Sequence, residues 1–260
     1  RQRQMCIRDS KIILEGPKEK LDQTENTQPA IFLVSYSIFE MIKRETELDL
    51  SKAKYFAGHS LGEYTALAAS GSLDFDHAIR LLKIRGNAMQ SAVEQIVSAM
   101  CAVLTKDMEA TNKDIESLEK QGVNIWAANY NDPGQLVIAG LAEDLDYIIN
   151  DPKSISAIKI IKLDVAGAFH TPLMSPAKKQ LEVALEKMPF NEPSIPVIMN
   201  VDAEYVTENS VRKQLTDQID SPVLFLNQLQ KLENDMNPKK WLHIGPVSYT
   251  HLTLPTSDLV

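Results

Sequence analysis

The pentapeptide Gly58-His59-Ser60-Leu61-Gly62 constrains this chain more than any other feature. It follows the apolar run Tyr55-Phe56-Ala57 and leads into a helical stretch that reaches Ala69. Strand, sharp turn and helix around Gly-x-Ser-x-Gly make a nucleophile elbow. The flanking glycines let the backbone turn tightly and leave the serine uncrowded. The hydroxyl then stands at the mouth of a sheet and at a helix N-terminus, where free N–H groups and the helix dipole favour a developing oxyanion. An ordinary Gly-Ser turn would satisfy the five residues alone; the strand-to-helix context favours a nucleophile at Ser60.

The rest of the chain reads as α/β. Residues 27–43 carry Ile31, Val34, Ser35, Ile38, Met41 and Ile42 at helical spacing, with Pro29 in a first helical turn. Ser70-Gly71 suits a helix end and Asp74-Phe75-Asp76 opens the next helix, which carries Ile79, Leu82, Arg85 and Met89. The pattern then changes. Strands are expected at 100–104, 123–130, 135–139 and 157–165, and helices at 107–119 and 142–150. Asn131-Asp132-Pro133-Gly134 turns the middle pair. The order β-α-β-β-α-β is a split βαβ. The expected architecture is an α/β-hydrolase-like core (11–96 and 166–246) with an inserted ferredoxin-like small subdomain (97–165). Ser175-Pro176 begins a helix to 187, and a strand at 196–201, a helix at 223–233 and a strand at 241–244 complete the core. Residues 1–10 and 247–260 connect to no neighbouring periodicity and resemble translated adapter sequence. They read as non-native scars, which sets aside Cys6 and His251.

Composition narrows the function. The net charge of -8 argues against nucleic acid or an anionic membrane as partner. Cys6 and Cys101 make neither a disulfide framework nor a zinc spacing, so no metal is expected and the cytoplasm is the default location. No apolar stretch is long enough to span a membrane.

A serine nucleophile needs a base, and imidazole is the usual one near neutrality. His77 sits in a polar helix start and His243 in a short strand near the end. His170 lies in the loop Gly167-Ala168-Phe169-His170-Thr171-Pro172-Leu173-Met174. Loops on a rigid scaffold are where reactive side chains concentrate.

Six motifs occur together in one order: Gly58-His59-Ser60-Leu61-Gly62-Glu63-Tyr64; Arg85-Gly86 with Met89-Gln90; Asn129-Tyr130-Asn131-Asp132-Pro133-Gly134-Gln135 with Val137-Ile138-Ala139-Gly140; Gly167 to His170 with Pro172-Leu173-Met174; Asn200-Val201-Asp202; and Ile244-Gly245-Pro246. In this the chain resembles the malonyl-CoA:acyl-carrier-protein transacylases, from about Leu14 to Pro246. The resemblance implies transfer of a malonyl group from malonyl-CoA to the phosphopantetheine thiol of acyl carrier protein, by a ping-pong route through malonyl-Ser60, with no metal or other cofactor. It implies His170 as base, the Leu61 N–H as an oxyanion donor and Arg85 as the grip on the free carboxylate. His59, Met89, Phe169 and Asn129 become substrate-site residues, Phe169 excluding a methyl branch. The Leu224 carbonyl, in Ser221-Pro222-Val223-Leu224, becomes the group that orients His170. Lys153, Lys159, Lys162, Lys178 and Lys179 are candidates, by charge alone, for a face toward an acidic carrier protein. Family members begin with a strand and a Gly-Gln-Gly-Ser-Gln-type loop that supplies the second oxyanion donor. The chain begins after that segment, so weak or no activity is expected of it as it stands. The competing readings are a serine esterase or thioesterase using Asp220 with His243, the acyltransferase segment of a larger polyketide or fatty acid synthase, and a non-catalytic interaction module.

Overall fold

The computed structural model describes residues 11–151 and 153–245. The terminal segments 1–10 and 247–260, with Cys6, His251 and also Pro246, lie outside the described residues. The chain opens with α1 (residues 11–15), α2 (Lys18–Leu21) and the long α3 (Thr24–Glu45). It continues through β1 (Phe56–Ala57), α4 (Gly62–Ala69) and α5 (Phe75–Val93).

The next segment is β2 (Ser98–Leu104), α6 (Met108–Lys120), β3 (Ile125–Asp132), β4 (Gln135–Leu141), α7 (Ala142–Asn150) and β5 (Lys159–Lys162). Its four strands form one sheet in the order β3-β4-β2-β5, every neighbouring pair antiparallel. That order follows from β-α-β-β-α-β: each helix crosses over one strand position and the central hairpin fills the gap. The hairpin is closed locally, with the Gly134 N–H donating to Asp132 Oδ1 at 2.7 Å. β5 is shorter than the expected 157–165; its Lys-Ile-Ile-Lys sequence sits at the sheet edge, where flanking lysines oppose further pairing.

Both faces of this sheet are covered. Cys101, Val103, Ile125, Leu136 and Ile138 pack with Leu145 and Ile148 of α7 and with Ile115 of α6. On the other face Met100, Ala128, Val137 and Ala139 pack with Ala168, and the partly buried Phe169 and Leu173 lean on them. The sheet thereby seats the loop that carries His170. A second tie runs from the edge of β3: Tyr130 N–H donates to the Val223 carbonyl and Val223 N–H to the Ala128 carbonyl, both at 2.9 Å.

The remaining elements are α8 (Ser175–Leu185), β6 (Val197–Ile198), α9 (Val211–Asp217) and α10 (Phe225–Met236). β1 and β6 pair in parallel, Phe56 with Val197 and Ala57 with Ile198, and α3, α4, α5 and α8 pack around a common core with them. α3 meets α5 at Gly86, where a Cβ would come within 2.8 Å of Glu25 Cα and Thr24 O.

Three expectations are corrected. Pro29 lies inside α3, not in its first turn. Proline has no N–H for the Glu25 carbonyl, and Lys83 Nζ donates to that carbonyl instead, at 3.2 Å. The buried stripe of α3 is Phe32, Ser35 and Phe39, while Met41 is 57% exposed. The helix is apolar on more than one side, and ring packing of Phe32 on Tyr36 and Phe75, and of Phe39 on Phe56, selects the aromatic stripe. Residues 241–244 form no strand; Trp241 instead packs its ring on Tyr55, 5.4 Å between centroids.

Candidate active site

The elbow is built by backbone constraint. Ser60 holds φ = 51°, in the left-handed region that non-glycine residues rarely occupy. At Gly58 an added Cβ would lie 2.0 Å from the Gly62 carbonyl carbon, so only glycine fits. Gly62 differs from expectation: the space beside its Cα is open, and its side-chain-free state is not demanded by the turn. Asn200 fastens the bend from outside. Its Oδ1 accepts from the Ser60 N–H at 2.7 Å and its Nδ2 donates to the Gly58 carbonyl at 2.7 Å. Asn200 follows β6 closely, so the pairing of β6 with β1 delivers it.

The structure brings Ser60, His170 and Arg85 together. Ser60 Oγ is 2.7 Å from His170 Nε2 and accepts from Arg85 Nη2 at 3.1 Å. His170 is buried, with φ = 60°. Its Nδ1 lies 2.8 Å from the Gln218 carbonyl. A carbonyl only accepts, so Nδ1 carries the proton and Nε2 is left to accept from the serine hydroxyl. Burial, with the nearby Arg85 charge, pushes the His170 pKa down to about 3. The imidazole is neutral at physiological pH, as a base must be.

The orienting carbonyl is therefore that of Gln218, not Leu224. The Leu224 carbonyl accepts from Gln228 N–H at the start of α10, and its N–H donates to the Asn200 carbonyl. Gln218 caps the C-terminus of α9, where carbonyls have no partner within the helix and are free to meet the imidazole. Val223, next to Leu224, pairs with β3.

Arg85 projects from α5 and is 1% exposed. Its Nη1 donates to Gln28 Oε1 at 2.7 Å, its Nη2 to Gln218 Oε1 at 3.0 Å, and its guanidinium carbon lies 5.6 Å from the centre of the Tyr64 ring. Met89, one turn along α5, is 2% exposed and accepts from Gln28 Nε2 at 3.3 Å. It steadies the glutamine. His59 Nε2 is 3.0 Å from Asn131 Oδ1 and its ring lies against Phe225, 5.3 Å between centroids; burial lowers its pKa. Asn129 is buried in β3 at the bridge to Val223, so Asn131, not Asn129, is the strand residue that meets His59. Phe169 is partly buried between the two cores. The Leu61 N–H meets no acceptor among the described residues, and the Ser60 N–H is committed to Asn200.

A cavity of about 280 Å³ opens beside His170, walled by Trp126, Tyr130, Asp220, Ser221 and Pro222. Asp220 accepts from Lys178 Nζ at 2.9 Å and Ser175 Oγ at 3.3 Å, and His243 is exposed. An Asp220–His243 pair serving Ser60 is contradicted. Among the described residues no cluster of three His, Cys, Asp or Glu could hold a metal ion, and no helix is long and apolar enough to cross a membrane.

Gln28, Glu63, Asn131 and Gln218 were not singled out by sequence. Each is polar and held by a partner at least 57 residues away. The only sequence signals were the proline beside Gln28 and the motif positions of Glu63 and Asn131.

The sequence and fold have known counterparts. The sequence pattern of the acyl transferase domain matches residues 4–250. The malonyl CoA-acyl carrier protein transacylase of Bacillus subtilis (strain 168) is 36% identical over 238 residues, 91% of this chain and 74% of that protein. Among solved structures, an acyl carrier protein S-malonyltransferase from Vibrio cholerae superposes with a TM-score of 0.79 at 35% identity, over 86% of this chain and 72% of that one. A malonyl-transacylase solved in complex with its type II PKS acyl-carrier protein gives 0.80 at 33% identity, over 87% and 72%. With its elbow serine, buried imidazole and buried guanidinium in one site, the chain belongs to the acyl transferase domain family.

Proposed function

We propose that this protein transfers a malonyl group from malonyl-CoA to the phosphopantetheine thiol of an acyl carrier protein through malonyl-Ser60. The observation that carries the reading is the contact of one hydroxyl with both a neutral imidazole and a buried guanidinium. Ser60 Oγ attacks the thioester carbonyl as its proton passes to His170 Nε2. The Leu61 N–H receives the developing oxyanion. Collapse breaks the C–S bond, and the CoA sulfur leaves with the proton from His170. The second half runs in reverse: His170 takes the thiol proton of the carrier's phosphopantetheine, the sulfur attacks the acyl carbonyl, and Ser60 regains its proton.

Arg85 selects a donor with a free carboxylate. The malonyl carboxylate replaces weaker acceptors, Gln28 Oε1 among them, on a guanidinium already desolvated. Phe169 narrows the site beside the acyl α-carbon, and His59, held by Asn131, lines it. Each exchange moves an acyl group between two nucleophiles, so the scheme uses no metal or cofactor. The small subdomain, 97–165, supplies the seat for the His170 loop, and the large one, 11–96 and 166–246, supplies the reacting groups. The cytoplasm suits an enzyme of this chemistry. Intact-mass measurement after incubation with malonyl-CoA tests the reading. A malonyl adduct on a version carrying the Gly-Gln-Gly-Ser-Gln-type loop, lost in its Ser60→Ala variant and discharged by holo acyl carrier protein, is expected. Release as free malonate without transfer would overturn it in favour of a hydrolase.

A further inference from the structure

Glu63 is the only fully buried carboxylate among the described residues. Burying such a group is costly unless its oxygens are satisfied, so its place beneath the elbow calls for a cause. It stands in the first turn of α4. Oε1 accepts from the Asn200 backbone N–H at 2.6 Å, and Oε2 accepts from Gln218 Nε2 in a short contact. Burial pushes the Glu63 pKa up, opposed by the Asn200 N–H, Arg85 and Gln218; both oxygens accept from N–H donors, the bonding of the ionised carboxylate.

The second contact has a consequence at Arg85. The Gln218 amide has two N–H donors: one goes to Glu63 and the other to the Ser60 carbonyl at 3.0 Å. Its oxygen is then turned to Arg85 Nη2, 3.0 Å away, and that same nitrogen reaches Ser60 Oγ. An amide can face a guanidinium with its oxygen or, wrongly, with its NH₂; the far-side acceptors Glu63 and the Ser60 carbonyl hold the NH₂ away from Arg85 and lock the oxygen toward it.

Building on the transferase reading, we propose that Glu63 is a positioning residue that sets the orientation of the Gln218 amide and so holds the Arg85 guanidinium beside Ser60. The chain of parity is complete. Glu63 presents acceptors, Gln218 answers with its NH₂, and its oxygen remains for Arg85.

Glu63→Gln keeps size and removes one acceptor. If its oxygen still serves the Asn200 N–H, its NH₂ faces the Gln218 NH₂. Gln218 then loses its charged anchor and is pushed from its place, which loosens its oxygen from Arg85; turning over would only set that oxygen against the Ser60 carbonyl and Asn200 Oδ1. The expected result is a KM for malonyl-CoA raised by on the order of tenfold, the loss of one charge-assisted contact. A smaller fall in kcat and a loss of preference for malonyl-CoA over acetyl-CoA accompany it. Gln218→Met should give the same effect, and the double variant should add little to either. A merely structural role would lower the melting temperature without moving the malonyl-to-acetyl ratio. An unchanged KM and ratio in a folded Glu63→Gln or Gln218→Met protein overturns the proposal. A crystal structure of Glu63→Gln gives a readout independent of turnover. The Arg85–Ser60 contact should open beyond hydrogen-bond reach, and its retention also overturns the proposal. If the loop-bearing version forms no malonyl adduct, the transferase reading fails, while this crystallographic outcome still decides the role of Glu63.

Discussion

The four-stranded sheet and the floor of the elbow are held together by opposite chemistry. In the sheet, the β3–β4 hairpin pairs near neighbours in sequence and apolar side chains fill the core: Leu136, Ile138, Leu145 and Ile148 lie within 13 positions of one another and are fully buried. At the elbow, β1 and β6 pair over only two residues each, and the surrounding contacts are polar and long-range. Asn200 meets Gly58 and Ser60, Gln218 meets Ser60 and Glu63, and His170 meets Ser60, across separations of 110 to 158 residues. The sheet depends on area removed from water, which tolerates variation in detail. The elbow depends on donor and acceptor parity, which one wrong atom breaks. Damage to the sheet should cost stability; damage at the elbow should cost chemistry.

The largest test is Ser60→Ala. Transfer should fall by about ten-thousand-fold or more, as for loss of other serine nucleophiles, with an unchanged melting temperature; persistence of the adduct by mass would break the assignment. His170→Ala should follow closely, slowed about a thousand-fold or more. Its depressed pKa fixes the sign of the pH dependence. A base that titrates at about 3 is already unprotonated at pH 6. The rate of Ser60 malonylation should therefore show no acid limb from His170 near its ordinary 6.5, and pre-steady-state rates from pH 5 to 8 check this. The same shift makes neutral His170 favour the fold above pH 6.5, a contribution lost as pH falls through 3.

Arg85→Ala should reduce kcat/KM for malonyl-CoA by about a hundred-fold, the worth of a desolvated charge-assisted pair, while acetyl-CoA loses far less. Competition between the two donors measures this, and equal losses would remove selection from the role of Arg85. Asn200→Ala is intermediate. It strands the Ser60 N–H and the Gly58 carbonyl and should destabilise by about 1–3 kcal/mol, with a fall in transfer rate, read by urea denaturation beside activity. In the sheet, Gly140→Ala places a Cβ 2.1 Å from the Asn124 carbonyl. It should lower the melting temperature while the remaining folded protein keeps its KM; a changed KM would show that the two regions are coupled.

The legibility of the chain divides along the same line. The small sheet could be read element by element, because alternation and the Asp132-Pro133-Gly134 turn record which residues are buried and where the chain reverses. Ser60 stood out because an elbow has a local signature. His170 and Arg85 were singled out with the help of family resemblance; neither carries a periodicity that marks it. Leu224 was chosen by motif position, and the structure chose Gln218, because helix ends expose carbonyls that sequence patterns do not display. The face of α3 was misjudged because two apolar stripes competed and only the aromatic partners broke the tie.

By itself the sequence determined the α/β class, the split βαβ order and the position of the nucleophile, since these follow from hydrophobic period, turn chemistry and the steric freedom of glycine within a few residues. Only the tertiary structure decided which carbonyl holds the imidazole, which amides surround the guanidinium and which buried carboxylate lies beneath the elbow. Those are matters of donor meeting acceptor across the whole length of the chain. A side-chain amide has no preferred partner until folding removes water and leaves one group within reach.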